Sequence, residues 1–397
     1  MVLLKIPPQA VASYPSIPAS TELRGVWLTN VASAVFFVPW GVNRALDQLS
    51  KLNFNTVYPA VWNRGHTFYP SAVAKKVTGQ AQAPVLRVMR LGQNNLAEIV
   101  KQGHLHKLRI IPWFEYGFMT PPSSELARLH PDWLTNRRDS TKILKEVSKE
   151  QKGLKKVPKA IRQAVVSNQV WLNPFHQKVQ QFLLDLIVEV VTNYDVDGIQ
   201  LDDHFGLPVE LGYDPFTVQL YQQEHEGKKP PKNYKDPEWM RWRADKITDF
   251  MEVIYQTVKT IKPNAVVSLS PNSQSFAYEA YLQDWHTWIK RGLITELVLQ
   301  VYRSDMKNFS WELSQPVLKM ARRRIPVSIG ILTGTWGRPV KISHIQKQVK
   351  MVRDRGFKGV SFFYWESLWG YITPESPQKR REAFQALFSS PARKNTK

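Results

Sequence analysis

Four carboxylates stand at or near the ends of short apolar runs, where they could act as acids, bases or nucleophiles: Glu115, Asp202, Asp203 and Glu366. Hydrolysis of a glycosidic bond takes two such groups flanking the scissile bond, one giving a proton and the other serving as nucleophile or base. The sharpest case is DGIQLDDHF, Asp197 to Phe205, an apolar run that closes on adjacent aspartates. Strand alternation puts Gly198, Gln200 and Asp202 on one face and Ile199, Leu201 and Asp203 on the other. With Ile199 and Leu201 under helices, Asp202 is the inward acid, and Asp203 orients a loop, caps an amide or holds its neighbour. Glu115 is favoured as the partner of Asp202, because a third strand adjoins a fourth whereas an eighth lies across the mouth. Glu366, in YWES between Trp365 and Trp369, competes for that role. Apolar flanks raise a carboxyl toward a general acid, and the alternative for Glu366 is a salt bridge to a loop lysine. Asp202, Asp203 and His204 also invite a metal reading, but consecutive strand residues diverge, so no metal site and no cofactor is expected.

The elements that must position these groups alternate along the chain. Apolar runs at Leu23–Asn30, Phe54–Trp62, Arg109–Gly117, Asp197–Phe205, Ala265–Asn272, Thr295–Arg303, Pro326–Gly334 and Lys358–Trp369 read as strands. Segments of helical periodicity separate them, such as Pro174–Asp195 and the long run that stops at Pro263. Eight strand-helix units predict a single (β/α)8 TIM barrel, an α/β fold with its site at the C-terminal strand ends. Those ends supply candidate sugar-binding groups: Trp62, Asn63, Arg64, Trp113, His204, Asn272, Gln300, Tyr302 and Trp365. Aromatic rings stack on sugar faces while amides and carboxylates bond the hydroxyls. Residues 1–20, rich in proline and serine, read as an extended arm, residues 21–390 as the barrel, and 391–397 as a basic tail. Residues 136–170, after the third strand, form an irregular insertion rich in lysine and arginine.

The 397 residues are 43% hydrophobic and 12% aromatic, enough for a large core. A net charge of +21 points to an anionic partner, or simply to a solvated basic surface. No nucleic-acid motif accompanies that charge, so specific nucleic-acid binding is not expected. Cysteine is absent, which removes disulfides, thiolate nucleophiles and cysteine zinc sites. No run reaches the length of a transmembrane helix, and the apolar start is broken by Lys5, Pro7 and Pro8. The expected location is the cytoplasm, or the cell envelope if a leader has been removed.

YDVDGIQLDDHF, preceded by WLNPFHQKVQQFLLDLIVEVV and by HPDWL at His130 to Leu134, resembles the glycosyl hydrolase-like family 10 of (β/α)8 proteins. LRGVWLTN, LNFNTVYPAVW, FYPS, WRADKI, SLSPN and LQVYR extend the resemblance over Leu23 to Trp369. It implies a glycoside hydrolase barrel, with bacterial cell-wall glycan among the expected substrates and the carboxylates after the fourth strand central. One departure is His66, where relatives commonly carry an aspartate two residues after the arginine of the second strand. The expected function is hydrolysis of a polysaccharide, anionic glycans included. The alternative is a barrel that binds glycan or an anionic polymer without cleaving it.

Overall fold

The computed structural model describes residues 21–30, 33–144, 168–335, 338–370 and 373–389. The N-terminal arm, most of the basic insertion and the C-terminal tail lie outside the described residues. Eight parallel strands close into a barrel: β1 (Leu23–Leu28), β2 (Thr56–Asn63), β3 (Arg109–Ile110 and Trp113–Phe114), β4 (Gly198–Asp202), β5 (Val266–Ser270), β6 (Glu296–Gln300), β7 (Val327–Leu332) and β8 (Gly359–Phe363). Closure is direct, since β1 pairs in parallel with both β2 and β8. The third strand is in two pieces because Pro112 offers no amide to the ladder. The eighth ends six residues earlier than its apolar pattern suggests, and Trp365–Trp369 is a helix.

Helices cover the barrel with the apolar stripes their periodicity dictates. In Gln177–Asn193 the buried residues Val179, Phe182, Leu183, Leu186, Ile187 and Val190 recur at three- and four-residue spacing. This helix packs beside Pro237–Ile261, whose start is fixed by Pro237 and by Asp236 accepting from the amides of Glu238 and Trp239. The segment before β7 is two helices, Met306–Leu313 and Pro316–Arg322, because Pro316 holds Gln315 in an extended conformation.

The lumen is polar as well as aromatic. Trp27 on β1 donates its indole N–H to Gln200 on β4 at 2.7 Å, a bond between strands that are not neighbours and so crosses the interior. Gln200 donates to the Ser268 hydroxyl at 3.0 Å, and Ser268 donates to Glu296 at 3.0 Å. Glu296 also accepts from the Tyr58 hydroxyl at 3.0 Å and pairs with Arg109 at 2.6 Å. Each member of this network has a partner supplied by another strand, as desolvation requires, whereas the Trp113 indole N–H and the Ser328 and Ser361 hydroxyls have none among the described residues.

Removing one member of such a buried ion pair strands the others. Glu296→Ala should therefore lower the free energy of unfolding in urea by about 3–5 kcal/mol. A loss under about 1 kcal/mol, the size of an exposed pair, would contradict this account.

Candidate active site

Asp202 is the last residue of β4, and alternation turns it inward with Gln200. It is 3% exposed and accepts from the Ser270 hydroxyl and the Gln300 amide, each at 2.8 Å. Burial, then the neighbouring Asp203 carboxylate, pushes Asp202 up to about 8. The chain leaves the strand in a turn at Asp203, and there alternation ceases. Asp203 comes back toward Asp202 instead of facing outward, and it accepts from the Asn272 amide at 2.6 Å. Gln283 holds the turn by donating to the carbonyls of Asp202 and Phe205.

Asp202, Asp203 and His204 consequently offer ligand atoms within 4.8 Å of one another, contrary to the divergence that strand geometry predicts. His204 Nδ1 lies 3.2 Å from Asp203, 3.6 Å from Asp202 and 3.0 Å from the carbonyl oxygen of Glu115. A carbonyl can only accept, so in its contact with the Glu115 carbonyl Nδ1 is the donor.

Glu115 reaches the lumen one residue past β3, on the face of Trp113. It accepts from the Asn63 amide and, at 3.2 Å, from the Thr29 hydroxyl. Burial pushes it up to about 7 against the pull of these donors and of His204 and Arg64. Tyr302 stacks on Phe363, with ring centroids 5.6 Å apart. Burial and then the charges of Asp202, Asp203 and Glu115 drive its hydroxyl well above the usual phenol range. The structure thus brings Glu115, Asp202, Asp203, His204, Asn63, Asn272, Gln300 and Tyr302 to one end of the barrel. Arg64 joins this rim through Tyr116, whose hydroxyl accepts from its Nε at 3.2 Å and whose ring stacks on His204. Arg64 and Gly65, both at positive φ, form the two-residue turn of a hairpin that pairs Asn63 with His66.

Four expected residues make other contacts. Trp62 is 0% exposed, donates to the Gly117 carbonyl and packs edge-on against Phe182 of the helix layer, so it does not line the mouth. The cause is a bulge between Ala60 and Trp62, which turns Trp62 outward and Asn63 inward. Trp113 lies in the lumen against Trp27 and Phe363, a buried floor and not an open platform. Glu366, in the helix Trp365–Trp369, accepts from the Ser33 hydroxyl and from backbone amides of residues 34 and 35, and from no lysine among the described residues. Burial pushes it up to about 7, but its bonds tie down the loop after β1. Trp365 beside it is half-buried, edge-on to Trp369.

Thr29, Tyr116, Ser270 and Gln283 complete the site, although residue type did not single them out. Thr29, Tyr116 and Ser270 stand at strand ends, a signal of position alone. Gln283 arrives from beyond the helix Gln274–Tyr281 and has no local signature.

A carboxyl whose pKa is raised by folding keeps its proton in the native state while the unfolded chain gives it up. Stability should therefore fall as pH rises from about 4 to about 8, the interval between the unfolded and folded values for Asp202 and Glu115. In Asp202→Asn that decline should be shallower. Thermal melts recorded across the interval check it, and parallel slopes for parent and variant would refute the assignment.

Comparison with known proteins follows the same lines. YngK of Bacillus subtilis strain 168, named a glycosyl hydrolase, is 25% identical over 320 residues, 71% of this chain and 54% of YngK. The chain thus spans about half the length of that relative. DigH of Escherichia coli K12, also named a glycosyl hydrolase, is 23% identical over 405 aligned positions, 85% of this chain and 80% of DigH. Among solved structures, the glycoside hydrolase domain of PgaB from Bordetella bronchiseptica superposes with a TM-score of 0.62, covering 95% of this chain and 100% of that domain. At 13% identity that likeness is one of fold. The family Glycosyl hydrolase-like 10 matches residues 22–352, and the chain belongs to it.

Proposed function

We propose that this protein is a glycoside hydrolase whose working pair is Asp202 and Glu115. The observation that carries the reading is the meeting, at the C-terminal strand ends, of two buried carboxyls in unlike surroundings, Asp202 beside a second carboxylate and Glu115 among donors. Carboxyl groups whose surroundings push their titrations apart divide the work of acid and base between them. Burial and the Asp203 carboxylate both raise the proton affinity of Asp202, whereas at Glu115 the donors Asn63 and Thr29 and the charges of His204 and Arg64 work against the rise that burial causes. Asp202 then protonates the departing glycosidic oxygen, and Glu115 attacks the anomeric carbon or activates water against it.

The surrounding groups have supporting roles. Ser270 and Gln300 orient Asp202, while Asn63 and Thr29 orient Glu115. Asp203, fixed by Asn272 and faced by His204 Nδ1, raises the proton affinity of its neighbour. Tyr302, Arg64 and Tyr116 provide aromatic faces and donors for sugar rings and hydroxyls. The proposed substrate is a polysaccharide, with bacterial cell-wall glycan the first to test. Glu366 serves this site as an anchor for the loop after β1.

Asp202→Asn and Glu115→Gln should each reduce turnover of the best glycan by about 10²–10⁴-fold. Glu366→Gln should retain turnover within about tenfold, since it loses a loop contact and no proton transfer. Reducing-end assays on glycan strands and chitin oligomers measure this. A Glu366→Gln loss as deep as that of Glu115→Gln would make Glu366 the partner, and full activity in Asp202→Asn would dispose of the proposal. Binding of glycan without release of product by the parent would establish a non-cleaving barrel instead.

The same assignment predicts a narrow bell in kcat/KM against pH, with limbs near about 7 and about 8. The acid limb reports protonation of Glu115, and the alkaline limb loss of the proton from Asp202. A profile flat across both values would contradict the division of roles.

A further inference from the structure

The charge of +21 is not used by the carboxylate site, and part of it is gathered at the other end of the barrel. A cleft of about 610 Å³ opens beside the N-terminal ends of β7 and β8. Lys319, Arg322, Arg323, Arg324 and Lys358 line it, and none of its lining residues is acidic. Lys319, Arg322, Arg323 and Arg324 are exposed and make no ion pair among the described residues. Arg322 is held in place by donating to the Gly356 carbonyl at 2.8 Å and by lying over the Phe357 ring at 4.5 Å. A second hollow of about 520 Å³, again lined by Lys319, Arg323 and Arg324, continues the surface along the helix Pro316–Arg322.

Like charges crowded in this way repel one another unless an anion is shared among them. The chemistry of that anion can be narrowed. No aromatic side chain lines either hollow, so there is no platform on which nucleobases would stack. Nor does an exposed large apolar side chain line the cleft, so nothing there would insert into the acyl boundary of a bilayer. A run of phosphates in a flexible chain, bridged by arginines and recognised by its backbone charge, meets the geometry.

We infer that this basal cleft is a docking site for a linear polyphosphate chain that carries no bases, on the opposite end of the barrel from the carboxylates. Occupied in this way, the barrel would be tethered by its base with its mouth turned outward. The inference stands apart from the hydrolase proposal, since neither needs the other.

The test uses the full chain and inorganic polyphosphate, titrated by calorimetry at several salt concentrations. Arg323→Glu with Arg324→Glu should weaken binding by about tenfold or more and make the slope of log K against log salt shallower by about two. Lys75→Glu with Lys76→Glu, exposed residues of the helix Ala72–Thr78, changes net charge equally and should leave the affinity within about twofold. Equal loss in both double variants would assign binding to net charge and overturn the site, as would no loss in the first. Tighter binding to phosphatidylglycerol vesicles or to a single-stranded oligonucleotide than to polyphosphate would overturn the choice of partner. Turnover of a soluble glycan should be the same in Arg323→Glu/Arg324→Glu as in the parent.

Discussion

Everything in this barrel depends on keeping polar groups satisfied in a space with little water. From Arg109 and Glu296 near the base, a chain of hydrogen bonds passes through Ser268 to Gln200 and Trp27. One layer higher, Ser270 and Gln300 perform the same service for Asp202. The inward face of β4 is therefore polar at successive layers, and Asp202 continues a ladder of bonded groups toward the mouth. That ladder tolerates a carboxyl, but it does not supply a countercharge. Burial, then the adjacent Asp203 carboxylate, lifts the proton affinity of Asp202 against the pull of His204, and burial lifts that of Glu115 against His204 and Arg64. The condition that makes these groups expensive to bury also gives them protons to transfer near neutrality.

Local departures from regular strand geometry assemble the rest of the site. A bulge in β2 exchanges the faces of Trp62 and Asn63, sending an indole to the helix layer and an amide to Glu115. A turn after β4 folds Asp203 and His204 back over Asp202. Gly117, at φ +49, lets the chain beyond β3 approach that turn closely; a Cβ there would meet the His204 carbonyl at 2.6 Å. The two strand ends are thereby locked together, with His204 between Glu115 and the aspartates.

The carboxylate cluster and the cleft of basic groups lie at opposite ends of the barrel. The C-terminal mouth collects carboxylates and the hydroxyl of Tyr302, whereas the N-terminal base carries arginines and lysines around an open cleft. Such a separation lets chemistry and docking occupy different ends of one scaffold, with the interior ladder between them.

The order of strands and helices, the inward placement of Asp202 with Gln200, and the clustering of amides and aromatics at strand ends were legible in the chain, because apolar periodicity follows from the pleat and the helical turn. The resemblance that named the family rested on YDVDGIQLDDHF with the stretches before and after it, over Leu23 to Trp369. Three matters were settled only by the folded structure. Whether Trp62 or Asn63 faces the lumen depends on one extra residue in β2, which periodicity does not register. That Asp203 joins Asp202 depends on where β4 stops, and that is fixed by bonds from Gln283 and Asn272, far along the chain. That Glu366 meets Ser33 follows from the end of the eighth strand at Phe363 and the helix that carries the glutamate beyond it. A residue's own sequence neighbourhood sets its face while a strand lasts; where the strand ends, groups brought from other elements decide what the side chain meets.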